Sequence, residues 1–212
     1  MWKQIIEYFA MSSDRYFMML GDHIRISLCS LAIAIIIGVP AGVLCVRHNR
    51  VQKAVTAVFG TLRIVPSLAI LLLILPVLGT GAVPAVIALI LLAVPPILMN
   101  TISGLESVSE VVLETAEGLG MTQSQIWLKI RFPLAMPLIL TGMKTAAVEI
   151  ISSAALASKI GAGGLGDIIF TGIGLFRTDL LLIGGISVAV LSVSAGILFE
   201  LLGRMILKYK YA

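Results

Sequence analysis

The chain has 212 residues, of which 59% are hydrophobic and only 12% charged, and its formal net charge is +4. Its apolar runs exceed the roughly 18–20 residues that a bilayer-spanning helix needs, which excludes a soluble globular protein. Little chain remains between those runs, so there is room for one membrane domain, and the excess of Lys and Arg reads as loop charge rather than a nucleic-acid surface.

Residues 1–22 are mixed and amphipathic, with acidic side chains and the aromatics Trp2, Tyr8, Phe9, Tyr16 and Phe17. They are read as an extracytoplasmic segment and not as a cleaved signal, because the apolar run that follows is too long for a signal core. The membrane domain covers 23–207, with predicted spans at about 24–46, 54–78, 83–104, 134–160 and 180–207. Only "GTGA" separates the second span from the third. Cys29 and Cys45 have no metal-ligand spacing and make no disulfide framework. Residues 208–212 form a short tail.

An odd number of spans puts the two ends of the chain on opposite sides. With the N-terminus outside, Arg47, Arg50, Lys53, Lys129, Arg131, Arg204, Lys208 and Lys210 gather on the inner face. Lys3, Arg15, Arg25, Lys159 and Arg177 fall on the outer one. The compact first loop and the tail carry most of that bias, and they are the informative places. Phe170 and Phe176 outside, and Trp127, Phe132, Tyr209 and Tyr211 inside, fit rings at headgroup level.

Between the third and fourth spans lies "ETAEGLGMTQSQIWLKIRFP", far too polar for lipid. Its local signals predict two short helices with a hinge. Ser107 and Glu110 have capping-box spacing, and Glu110, Glu114 and Glu117 sit early in a helix, where the dipole favours anions. Gly120 can take the positive φ of a helix C-terminus. Thr122 and Gln125 form a second capping box, which restarts a helix through Trp127, and Pro133 suits the first turn of span four. A helix–Gly–helix unit with small Ala116 exposed among carboxylates is suited to a groove on another protein.

This segment resembles the EAA loop of ABC-importer permeases. Glu114-Thr115-Ala116, Gly120, and then Ile130 to Pro133 stand at the family's spacing, with Thr115 for Ala and Phe132 for Leu as mild departures. Over about residues 20–212, "PSLAI", "NTISGL", "GMKTA" and "KIGAGGLGDIIFTGI" look like the osmoprotectant branch of the binding-protein-dependent transport permeases. The resemblance implies an all-α membrane protein of the type I importer (MetI-like) fold, with five transmembrane helices and a cytoplasmic coupling helix at 106–133. It implies a transport subunit, not an enzyme, with Glu114, Thr115, Ala116, Gly120, Ile130 and Pro133 coupling it to a cytoplasmic ATPase dimer. ATP and Mg would be bound by that partner, and this chain would carry no cofactor, metal or catalytic residue. A second permease subunit and an extracytoplasmic solute-binding protein complete the implied assembly, in a prokaryotic cell membrane. The substrates implied are glycine betaine, carnitine, choline and related solutes. Two rival readings are a methionine or amino-acid permease and a stand-alone carrier or channel; "NTISGL" and "GDIIFTGI" favour the first reading, and the EAA spacing argues against a carrier.

"GAGGLG", 161–166, formally matches a dinucleotide fingerprint, but a membrane span precedes it where a strand is required. Read as a turn, Gly161, Gly163, Gly164, Gly166 and Asp167 mark a packed bend at the outer end of span four, which the resemblance assigns to the outer gate. Arg63, Lys144 and Glu149 lie within predicted spans, where each charge costs roughly 2.5–3.5 kcal/mol in lipid and is normally turned to a wet cavity or a partner. Glu149 is a candidate pathway carboxylate for a cationic solute. A quaternary ammonium has no N–H and is gripped by aromatic faces. The spans hold few aromatics, so tight selection belongs to a separate binding protein.

Overall fold

Backbone polar groups in a bilayer must be satisfied within the segment that carries them, so apolar runs of this length fold as helices. In the computed structural model, which describes residues 2–207, the elements are α1 (Trp2–Val46), α2 (Asn49–Leu62), α3 (Ser67–Leu78), α4 (Ala82–Glu106), α5 (Glu110–Gly118), α6 (Gln123–Ile126), α7 (Phe132–Ala157), α8 (Leu165–Gly174) and α9 (Thr178–Ile206). A π-helical turn, Trp127–Arg131, joins α6 to α7, and a 3-10 turn, Ser158–Ile160, follows α7. The tail expected at 208–212, with Lys208, Tyr209, Lys210 and Tyr211, lies outside the described residues.

α4 is the central post, packed between α1 on one side and α7 on the other. Small residues let these backbones approach, as they do between helices in lipid. Gly38 and Gly42 stand four apart on α1, and a Cβ there would lie 2.9 Å from Ile97 and 2.7 Å from Thr101 of α4. On the opposite side, a Cβ on Gly142 of α7 would lie 2.7 Å from Asn100 and 2.8 Å from the Pro96 carbonyl. α9 packs on α7 and α8 and leaves most of its length exposed.

The chain order gives the bundle two ends. The basic end holds Arg47, Arg50, Lys53, Lys129, Arg131 and Arg204, together with α5 and α6. The glycine end holds the start of α1, the turn at Gly79–Gly81, and residues 158–178.

Three features differ from the predicted layout. The second span is not one rod: α2 and α3 meet at a 97° bend. Pro66 causes it, since proline has no N–H for the helical ladder and disfavours helical dihedrals at Val65. The last turn of α2 accordingly closes with Ile64 N–H to Thr61 O (3.0 Å) and Val65 N–H to Leu62 O (3.1 Å). The N-terminal segment is not separate from the first span; α1 includes it, with one break at Ser12 (φ −138°, ψ 23°). Finally, the fourth span does not begin at Pro133. One helical run extends over Gln123–Ile160, 38 residues and about 57 Å long. Proline inside such a run crowds the carbonyl four residues back. The π turn ends two residues before Pro133, with Phe132 N–H reaching back five residues to Trp127 O.

Candidate coupling and pathway site

At the basic end, α4 continues to Glu106, and this removes the first predicted cap. Ser107 is the C-cap of that helix, and its hydroxyl donates back to Gly104 O (2.8 Å); Ser109 stands before α5, with no side-chain cap. The capping box at Ser107–Glu110 is therefore not formed. The second box is: Thr122 N–H donates to Gln125 Oε1 (2.9 Å), and Gln125 N–H approaches Thr122 Oγ1 (3.4 Å). Between them Gly120 has φ +80°. Its N–H donates to Glu117 O (2.9 Å) and Met121 N–H donates to Ala116 O (3.1 Å), the paired bonds that close a helix on a left-handed residue.

That closure folds α6 back beside α5 and has a consequence the sequence did not reveal. Ala116 is buried, at 3% exposure, and so is Ile126 of α6. Ala116 thus lies on the inner side of α5 and is not part of the exposed face, which corrects the sequence expectation. The outer face of α5 carries Glu114 and Thr115, with Val111 at 69% and, just beyond its end, Leu119 at 78% exposure. Thr115 Oγ1 bonds to Val111 O (2.7 Å), so the hydroxyl that replaces the family's alanine methyl is satisfied within its own helix. Gln123 Nε2 donates to Glu117 Oε1 (2.7 Å) and ties the two helices together.

The π turn is held where the run enters the bundle. Two guanidinium groups stand over the Trp127 ring, Arg131 at 4.8 Å and Arg47 at 5.2 Å from its centroid. Arg131 Nε also donates to Leu105 O (3.2 Å) at the end of α4. Phe132, half-buried, packs with Trp127 against Leu105, Ala135 and Ile139, and this cluster accommodates the ring where the family has leucine. Ile130 and Pro133 are half-buried beside it.

The glycine end is built from close contacts. Gly161, Gly163 and Gly164 have φ of 83°, 75° and 85°. Gly81 N–H donates to Ile160 O (2.7 Å), so the α3–α4 turn sits on the end of the long run. A Cβ on Gly166 would lie 2.0 Å from Ala155 O, and one on Gly164 would meet the backbone and side chain of His23. His23 of α1 is 1% exposed, and its Nε2 lies 3.0 Å from Ile151 O of α7. No strand precedes this glycine hairpin, residues 161–166 between α7 and α8, and a 3-10 turn does, which removes the structural context of a dinucleotide site. Asp167 follows on α8; burial pushes its carboxyl above the ordinary carboxylate range, and the positive charge of Arg15 opposes that rise.

Of the intramembrane charges, Lys144 has an ion-pair partner, whereas among the described residues no ion pair within 4.0 Å joins Arg63 to Glu149. Arg63 stands at the α2–α3 bend, near enough for its charge to act on Glu149, which is half-buried on α7. Lys144 pairs with Glu200 of α9 at 2.9 Å, and Glu200 also accepts from Arg204 at 3.4 Å. Sequence reasoning passed over Glu200 and counted Arg204 only as an inner-face cation, although both stand inside the fifth predicted span. Their spacing of four, which puts opposite charges on one helix face, was the available signal. The structure does not bring Glu149 and the glycine hairpin together: Glu149 lies on α7 about 18 Å below the start of that hairpin.

Comparison with known proteins agrees with this architecture. The family model for the binding-protein-dependent transport system inner membrane component matches residues 34–208. The chain is 41% identical to the carnitine transport permease protein OpuCB of Listeria monocytogenes, over 89% of this chain and 86% of that one. It is 40% identical to the glycine betaine/carnitine/choline transport system permease protein OpuCB of Bacillus subtilis, over 82% and 80% of the two chains. Among solved structures, an inward-facing form of the MetNI methionine ABC transporter superimposes with a TM-score of 0.74 at 20% identity, covering 90% of this chain and 95% of that one. An amino acid ABC transporter gives 0.77 at 18% identity, covering 93% and 96%. At those identities the likeness is one of fold, the MetI-type importer fold. The chain belongs to the family of binding-protein-dependent transport system inner membrane components, and it is a permease subunit of an ABC importer.

Proposed function

We propose that this permease serves an ATP-driven importer of quaternary-ammonium osmoprotectants such as glycine betaine, carnitine and choline. The single observation that carries the substrate class is the identity of about 40% with permeases of that description, over most of both chains. The basic end faces the cytoplasm and the N-terminus lies outside, in a bacterial inner membrane; the charge distribution supports this. Glu114, Thr115 and Gly120 present α5 to the groove of an ATPase dimer, Ala116 and Ile130 seat it from within, and Pro133 lies where the long run enters the bundle. A second permease subunit completes the pathway. An external binding protein delivers the solute, and ATP hydrolysis with its Mg is left to the ATPase.

Alternating access then follows as a tilt. Closure of the ATPase dimer draws the two α5–α6 units together, and each unit moves an unbroken run whose other end is the glycine hairpin. A ligand drives such a change only by binding one state better than the other. Here that ligand is ATP on the partner. Glu149, with Arg63 beside it, and Gly161, Gly163, Gly164, Gly166 and Asp167 line or gate the route.

The test is reconstitution of the permease with its ATPase and binding protein in proteoliposomes. ATP-dependent uptake of labelled betaine, absent when the ATPase is omitted, is the expected result. Uptake of methionine and of no quaternary ammonium would overturn the substrate reading. Uptake that persists without the ATPase would overturn the mechanism.

A further inference from the structure

The break at Ser12 sets the first three turns of α1 at an angle over α8, and a small cavity of about 220 Å³ lies between them. Tyr8, Ser12 and Arg15 line it from α1, Asp167 and Thr171 from α8, and Arg177 from the turn before α9. It is smaller than the roughly 300–1,000 Å³ of drug-sized sites, and suits a compact solute.

Its charges are arranged in an unusual way. Arg177 is taken, its guanidinium bidentate on the buried Asp179 carboxylate. Arg15 and Asp167 are not joined: among the described residues no ion pair within 4.0 Å links them, although the Arg15 charge acts on both Asp167 and Tyr8. Two opposite charges thus face one cavity with space between them. A solute that carries both signs at its two ends satisfies both at once, whereas water or a simple ion leaves one uncompensated. Tyr8 adds an aromatic face, the surface that holds an ammonium bearing no N–H. Edge-to-face contacts along Tyr8, Phe9, Tyr16 and Phe17, with centroids 5.1–5.6 Å apart, fix its ring. A hydrogen bond of 2.8 Å between Tyr16 Oη and Ser187 Oγ anchors that row to α9.

We propose that this cavity is a low-affinity site for a zwitterionic solute, with the quaternary ammonium on Asp167 and Tyr8 and the carboxylate on Arg15. The assignment rests on the substrate class proposed above. The site adjoins the glycine hairpin, because Asp167 directly follows Gly166, whose backbone is seated on Ala155 O of α7. A solute held here spans α1 and α8, so tilting of the long run changes the cavity and releases its occupant.

The experiment measures binding of labelled glycine betaine and of labelled choline to the permease–ATPase complex without the binding protein. Choline has the ammonium and no carboxylate. In the wild-type complex both bind saturably. Arg15→Gln weakens betaine about tenfold and leaves choline unchanged, while Asp167→Asn and Tyr8→Leu weaken both. A residue with a merely structural role would not split the two ligands, and co-purification of the ATPase shows that each variant is assembled. The proposal is overturned if the wild-type complex binds neither solute, or if Arg15→Gln and Asp167→Asn leave betaine binding intact. It is equally overturned if Arg15→Gln weakens choline and betaine alike, or if the variants disturb only the activation of ATP hydrolysis by the binding protein, which would make the cavity a protein-docking surface. Uptake by the complete wild-type transporter separates the two readings. Betaine uptake without direct binding sinks this site alone, and absence of any quaternary-ammonium uptake sinks the substrate class.

Discussion

Two glycines of α8 make opposite predictions from the same substitution. Alanine favours a helix over glycine by about 1 kcal/mol, so Gly→Ala in α8 gains stability unless something stands in the way. At Gly174 nothing lies within 4 Å of the new methyl. At Gly166 the methyl would stand 2.0 Å from Ala155 O, 1.4 Å short of ordinary contact at 3.4 Å, and the atom it meets is main chain and cannot rotate away. Such overpacking costs about 3 kcal/mol, the upper part of the usual range. The net effect is a loss of about 2 kcal/mol for Gly166→Ala and a gain of about 1 kcal/mol for Gly174→Ala. At 2–4 °C per kcal/mol for a chain of this size, the melting temperature of the purified complex falls roughly 4–8 °C in the first variant and rises roughly 2–4 °C in the second. Thermal denaturation followed by size-exclusion chromatography measures both. Equal shifts in the two variants, of either sign, would refute the claim that α8 is seated on α7 through the Gly166 backbone.

Glu114→Lys puts a cation on the outer face of α5; it leaves membrane insertion intact and weakens ATPase co-purification by roughly tenfold. Gly120→Asp acts in the same direction more mildly, since a side chain at φ +80° costs about 1 kcal/mol. Glu200→Ala lowers the melting temperature more than Lys144→Ala, because Glu200 holds two cations and Lys144 one carboxylate; the exchange Lys144→Glu with Glu200→Lys recovers most of the loss. Cysteines at Thr80 and Gly161 would have Cβ atoms about 3.7 Å apart, within disulfide range. Oxidation of that pair stops uptake and reductant restores it, and full uptake by the cross-linked protein would show that the glycine end need not move.

What could be read from the sequence was what is local. The Thr122–Gln125 capping box and the positive φ of Gly120 depend on residues three or four apart, and both formed. The Ser107 cap failed because α4 competed for the same residue, and the strength of α4 comes from packing on α1 and α7 that no local pattern records. Ala116 looked exposed because its neighbours are carboxylates; its burial depends on α6 folding back, a tertiary event. Hydropathy found the second span and missed its bend, since a window average sees composition and not direction. Pro66 carried the warning. The Lys144–Glu200 pair joins residues 56 apart in the chain, and only three-dimensional proximity reveals it.

The unbroken run also changes how coupling works. The sequence suggests a hinge at Gly120 between two short helices, and a hinge dissipates motion. Here the α5–α6 joint at Gly120 is closed by backbone bonds, and from Gln123 the helix runs to Ile160 without interruption. Its one departure from α geometry before the closing 3-10 turn, the π turn, is also where Arg47, Trp127, Arg131 and Leu105 hold it to α1 and α4. A rod gripped near one end pivots there. About 30 residues separate that grip from Ile160, roughly 45 Å, so a tilt of about 10° displaces the far end by about 8 Å. The contacts at the far end divide accordingly. α8 is locked to the rod through Gly166 and must travel with it. The turn at Gly79–Gly81 meets it through the hydrogen bond from Gly81 N–H to Ile160 O and through the close approach of Gly161 to Gly81 and Thr80. The glycines at this end therefore serve two purposes, close seating where parts move together and a smooth surface where they must part.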